Sequence, residues 1–132
     1  MNAEKLIATA FEALENAHAP YSEYLVGAAL LCADGTVFLG CNVENASYGL
    51  TNCAERTALF SAIAAGQREF VALAIAASGE ATPYPCGACR QVMAEFCQQD
   101  FPVHVAKSGG FDTATLGELL PNQFDFRAHP TR

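Results

Sequence analysis

Two short runs hold side chains whose types and spacing could do chemistry together. Thr51-Asn52-Cys53-Ala54-Glu55-Arg56 sets a thiol, a carboxylate and a guanidinium almost side by side, and Pro85-Cys86-Gly87-Ala88-Cys89 adds two more thiols, the first 33 residues after Cys53 (86 minus 53). Zinc favours thiolates in tetrahedral sites, and a catalytic zinc takes three protein ligands and keeps the fourth position for water or substrate. Cys53, Cys86 and Cys89 would leave that position open. A Cys-x-x-Cys at a helix start can turn both sulfurs toward one ion, while Cys53, at the start of another helix, approaches from a neighbouring element. Three thiolates outweigh the charge of one Zn²⁺, and the excess weakens the ion as a Lewis acid. Two helix N-termini, each worth about half a positive charge, offset part of it. Arg56 follows Cys53 closely enough to donate to ligand sulfurs. Arg90, adjacent to Cys89, either points the same way or faces water.

Plainer readings stand beside these. A lone Cys-x-x-Cys fits a thioredoxin-like redox pair as well as zinc, but such a pair needs neither Cys53 nor Glu55. A closed structural zinc site would take Cys97, Cys41 or Cys32 as its fourth ligand, yet none shows a second Cys-x-x-Cys spacing, and free cysteine is usually a small buried hydrophobe. Glu55 lies three residues after Asn52, the arrangement of a capping box, and taken alone that role fits it best. His18, His104 and His129 lack spacing to one another or to the cysteines and read as surface or packing residues.

The chain of 132 residues suits a single domain, 1–132. Its 52% hydrophobic and 16% charged residues make it apolar for a monomer of this size, which favours burial of some surface between subunits. A formal charge of -7, with the basic residues scattered, disfavours a nucleic-acid partner. Glu4, Lys5, Glu12 and Glu15 interrupt the N-terminal segment, so it reads neither as a signal peptide nor as a membrane span. The expected location is the cytoplasm, where six cysteines stay reduced and metal binding explains their spacing better than disulfides do.

Elements that would position the thiols follow from periodicity. Residues 2–17 repeat apolar side chains at helical spacing. Residues 24–32 and 36–41 read as strands joined at Asp34-Gly35, and 42–52 as a loop. Residues 53–65 read as a helix closed by Gly66, and 71–77 as a central strand covered on both faces. Residues 86–98 resume helical spacing, 101–106 fit a strand, 108–110 a turn, and 115–120 a short helix stopped by Pro121. This order predicts an α/β sandwich with a mixed sheet covered by helices.

Several separated runs closely resemble the small, homotetrameric type of cytidine deaminase: Ala19-Pro20-Tyr21-Ser22, VGAALL at 26–31, GCNVENASYG at 40–49, CAERTA at 53–58, PCGACRQV at 85–92 and Leu119-Leu120-Pro121. The resemblance implies a three-layer α/β/α sandwich with roughly five strands. It further implies one Zn²⁺ per subunit held by Cys53, Cys86 and Cys89, and Glu55 as the catalytic proton carrier. By the same resemblance Asn42 and Glu44 would hold the ribose, Tyr24 would pack near the base, and Ala54 would offer its backbone N–H to the base carbonyl. Tyr48 and Phe124 would enter from neighbouring subunits of a homotetramer. On the residues alone, Asn42 is a turn residue, Glu44 a solvated charge and Tyr24 a core aromatic. Two departures stand out. Tyr84 occupies a position where the family often has Ser, and the tail 123–129 lacks the family's acidic character, which leaves Phe126 as an alternative to Phe124.

The implied activity is hydrolytic deamination of cytidine and deoxycytidine in pyrimidine salvage, with a small-molecule nucleoside as partner and neither nucleic acid nor membrane. Alternatives are a deaminase of a related amino-pyrimidine such as blasticidin S, a noncatalytic zinc-stabilised module, and a polynucleotide editor, which the acidic charge disfavours.

Overall fold

The apolar run Phe70–Ala77 forms the middle strand of a five-stranded sheet and is covered on both faces. The computed structural model describes residues 1–125. In chain order the strands are β1 Val26–Cys32, β2 Val37–Cys41, β3 Phe70–Ala77, β4 Pro102–Lys107 and β5 Gly110–Thr115. The helices are α1 Ala3–Ala13, α2 Ala54–Ala64, α3 Gly87–Phe96 and α4 Leu116–Leu119. The sheet order is β2-β1-β3-β4-β5, with β3 and β4 parallel and the other neighbours antiparallel, so the sheet is mixed.

Side chains of successive strand residues point to opposite faces, and each face carries its own core. Ala28, Leu30 and Cys32 of β1 join Leu73, Ile75, Val103 and Val105 beneath Ala58, Leu59 and Ala62 of α2, Met93 of α3 and Leu116 of α4. Ala29 and Leu31 face the other way, with Ala72, Ala74 and Ala76, beneath Leu6, Ile7 and Ala10 of α1. The result is the expected three-layer α/β/α sandwich. Asn2 starts α1 by accepting from Lys5 N at 2.9 Å. Gly66 ends α2 in the left-handed region at φ 96, where Gln67 N donates to Ala62 O at 3.0 Å.

Two glycines let the helices sit directly on strand backbone. A Cβ on Gly27 would lie 2.1 Å from Ala10 O of α1, and one on Gly40 would lie 2.2 Å from Ala54 O and 2.5 Å from Ala58 N. The second contact seats the first turn of α2, next to Cys53, against β2.

Strand β5 escapes the sequence reading. Its residues, GFDTAT, are half-buried or exposed and carry no alternating apolar pattern, because an edge strand has one ladder neighbour and little core to cover. The short helix after it begins one residue later than its pattern suggests, since Thr115 is its cap: Thr115 Oγ1 accepts from Glu118 N, and Glu118 Oε1 accepts from Thr115 N at 2.9 Å.

Gly40→Ala should lower the unfolding free energy by about 1–3 kcal/mol or more through overpacking. Gly66→Ala, with open space around it, should lose about 1 kcal/mol to its left-handed backbone. Equal stabilities for Gly40→Ala and the parent in chemical denaturation would contradict the close seating of α2.

Candidate metal and catalytic site

Cys53 and Cys86 are the N-cap residues of α2 and α3, and Cys89 lies in the first turn of α3, so the two helix starts bring the three thiols to one point. Their sulfurs all lie within 4.8 Å of one another, with 3.8 Å between Cys53 and Cys86 and 3.5 Å between Cys86 and Cys89. A disulfide would need about 2.05 Å, and the six cysteines are free. Sulfurs each about 2.3 Å from a tetrahedral zinc stand about 3.8 Å apart, so the spacing fits one zinc ion without rearrangement. Among the described residues Cys32, Cys41 and Cys97 stand outside the cluster, which therefore has no fourth thiolate to close it. Burial pushes the Cys97 thiol up to about 12, as suits a packing residue.

Arg56 Nη2 donates to Cys53 Sγ at 3.1 Å, the contact anticipated from its position. Its Nε is buried without a hydrogen-bond partner among the described residues, a cost tolerated beside a concentration of negative charge. Hydrogen bonding from Cys89, followed by that from Arg56, holds Cys53 well below the usual thiol range. The same Cys53–Cys89 contact, with burial, raises Cys89. Arg90 does neither thing expected of it. Its Nε donates to Pro85 O at 2.7 Å and its Nη1 to Leu119 O at 2.6 Å, so it ties the metal loop to α4.

Glu55 is 6% exposed on the first turn of α2 and shares a cavity of about 260 Å³ with Cys53, Ala54, Cys86, Tyr24, Asn42 and Glu44. Burial is the main cause pushing its carboxyl up to about 7, with the Cys53 charge adding to it; a dication on the sulfurs opposes that shift. The capping-box alternative for Glu55 fails, because the cap is Cys53 and Asn52 Nδ2 instead donates to Thr57 Oγ1 at 3.0 Å.

Asn42 is buried and stitches the chain ahead of β1: Oδ1 accepts from Val26 N at 2.9 Å and Nδ2 donates to Tyr24 O at 2.8 Å. Glu44 is not merely a solvated charge. Its Oε1 accepts from Tyr21 N and Ser22 N, and its Oε2 from the Ser22 hydroxyl, so it holds the turn in which Glu23 adopts φ 57. Tyr48 and Phe124 do not line the cavity. Tyr48 is 74% exposed with its ring edge-on to Tyr21, and Phe124 is 64% exposed, its carbonyl accepting from Gln91 Nε2. Phe126 and His129 lie outside the described residues. His104 packs on Phe111 and bonds Thr113, as a packing residue does. Ser22, Thr51 and Pro83 also line the cavity; no spacing or charge pattern marks them, since the loops that bring them there are set by long-range contacts.

A family model of the cytidine and deoxycytidylate deaminase zinc-binding region matches residues 1–105, which include all three thiols. The chain belongs to this family. A cytidine deaminase from Sporosarcina psychrophila is 52% identical over 125 residues, covering 94% of this chain and 92% of that protein. One from Halalkalibacterium halodurans is 53% identical over 125 residues, covering 94% and 95%. The 1.6 Å crystal structure of cytidine deaminase from Burkholderia pseudomallei superposes with a TM-score of 0.90 at 53% identity, covering 94% of this chain and 100% of that one. The metal of this deaminase family is zinc, and the three-thiol donor set suits it.

Arg56→Gln should weaken zinc binding by about 10- to 100-fold in competition with a chromophoric chelator, the usual effect of losing a group that supports metal ligands. Unchanged affinity would mean that the contact with Cys53 does not temper the site.

Proposed function

We propose that the protein is a zinc-dependent cytidine deaminase that replaces the exocyclic amine of cytidine and deoxycytidine with oxygen, releasing ammonia and giving uridine and deoxyuridine for pyrimidine salvage. The observation that carries this reading is a buried carboxylate, Glu55, sharing a cavity with an open cluster of thiols. A closed four-sulfur module would need no such carboxylate and would have a fourth thiol.

Cys53, Cys86 and Cys89 would hold one zinc per subunit, whose Lewis acidity brings the pKa of water toward neutrality. Glu55 takes a proton from water as the oxygen adds to C4 of the base and passes it to ring N3. It then carries the second proton to the amine, which leaves as ammonia. One carboxylate can do both because it lies beside the reacting atoms throughout. Ala54 would offer its N–H to the base carbonyl, and Tyr24 would form an aromatic wall of the cavity.

Ribose recognition falls to the hydrogen-bonding capacity that Asn42 and Glu44 keep after holding the backbone. Glu44 Oε1 already accepts two bonds, whereas Oε2 retains one lone pair; Asn42 Nδ2 retains one N–H. With the second lone pair of Asn42 Oδ1, which accepts only from Val26 N, two acceptors and one donor remain for sugar hydroxyls.

Catalysis would be completed in a homotetramer, with Tyr48 from one neighbour and Phe124 from another. Support comes from exposed Tyr48, Leu50, Phe60 and Phe124, apolar surface that a monomer would leave in water. The whole chain would act as one catalytic domain. A cytoplasmic location accords with the free thiols, and among the described residues no helix is long and apolar enough to cross a membrane.

Glu55→Gln should retain zinc and lose about 10²- to 10⁴-fold in kcat for cytidine, followed by ultraviolet absorbance; unchanged turnover would remove Glu55 from the mechanism. Sedimentation should give about four times the 14.0 kDa chain mass. Tyr48→Ala should raise KM about tenfold if its ring contributes an aromatic contact. A fully active monomer would contradict the cross-subunit site.

A further inference from the structure

The loop from β3 to α3 ends at Cys86, and both its ends are secured. Ser78 N donates to Leu25 O at 2.8 Å and Ser78 Oγ accepts from Leu25 N at 2.9 Å, while Arg90 Nε holds Pro85 O at 2.7 Å. The middle is a thin wall. Pro83 and Tyr84 line the cavity that holds Glu55 and Cys86, and Pro83 also lines a second cavity of about 500 Å³ with Phe11, Ala106 and Lys107. Between its packed end at Gly79, which lies against the Tyr24 ring, and buried Pro85, a wall with a cavity on either side has less packing to fix it than an ordinary loop segment. A directional contact has to set its position instead.

Tyr84 supplies one. Its hydroxyl donates to Asp112 Oδ2 at 3.2 Å, and Lys107 Nζ holds Asp112 Oδ1 at 2.5 Å. Lys107 and Asp112 stand on β4 and β5, whose antiparallel ladder runs in unbroken register from Pro102–Thr115 to Lys107–Gly110. The tether therefore joins a loop with little support to a regular hairpin.

We infer that Tyr84, anchored by Asp112 and Lys107, is a positioning residue that fixes the wall of the nucleoside cavity and so sets how well substrate fits. The inference rests on the deaminase reading. Tyr84 acts through the place it gives the wall, and it moves no proton in the reaction. A wall displaced in the free enzyme must be brought back when substrate binds, a cost that appears in KM before it appears in kcat.

The test uses the zinc-loaded full chain. Tyr84→Phe keeps the ring and removes the hydroxyl. It should raise KM for cytidine about threefold to tenfold, the range of one lost hydrogen bond, with kcat within about twofold and zinc content unchanged. Asp112→Ala should do the same, and the double variant should be no worse than either single one. Without substrate, the amide of Tyr84, which donates to Thr82 O at 2.9 Å, should exchange hydrogen several-fold faster in Tyr84→Phe than in the parent. A parental KM, unchanged exchange, or additive effects in the double variant would overturn the tether. Parent protein that turns over no cytidine refutes the deaminase reading alone, and the exchange comparison then decides the tether.

Discussion

The rest of the site depends on two helix N-termini meeting at one point. Cys53 caps α2 and Cys86 caps α3, and neither sulfur is taken up by a backbone N–H of its own helix, which lets both face a common centre. That meeting requires α2 to be seated on β2, which the missing side chain of Gly40 permits, and α3 to leave the sheet after β3. A shift of α2 by the width of one methyl group would pull Cys53 away from a cluster whose sulfurs fit a single ion. The small-residue contacts of the fold and the chemistry of the thiols are therefore one constraint.

Gathering negative charge at that point has to be offset locally. The positive ends of α2 and α3 are aimed there, and Arg56 donates directly to Cys53. Glu55 adds a further acid to the same cavity and is buried with it, an arrangement that stability alone would not favour. A buried acid beside clustered thiols is the form that function, rather than packing, gives to a helix start.

The groups proposed to read the sugar are also structural. Glu44 holds the turn through residues 21–24, and Asn42 ties Tyr24 to Val26. Rigid placement of the reader follows from that double duty, because a side chain already bonded to backbone cannot swing away from an incoming hydroxyl. The wall carrying Tyr84 is built differently: it is anchored at its two ends, and its middle is tethered to the β4–β5 hairpin.

The sequence by itself determined the two thiol-bearing runs, the central strand, the presence of a helix after each run and the mixed α/β architecture. These features are local: cap chemistry, glycine stops and apolar periodicity act over a few residues and show in their spacing. Only the tertiary structure decided what lies far apart in the chain. It turned Glu55 from a capping residue into a buried acid, directed Arg90 to Pro85 and Leu119, kept Cys32, Cys41 and Cys97 out of the cluster, and added β5 at an edge where little burial pressure shapes the sequence. Each outcome depends on which element packs against which. The opening run Thr51 to Arg56 names the proposed reacting groups, but the approach of Cys86 and Cys89 is what gathers the thiols into a candidate metal site.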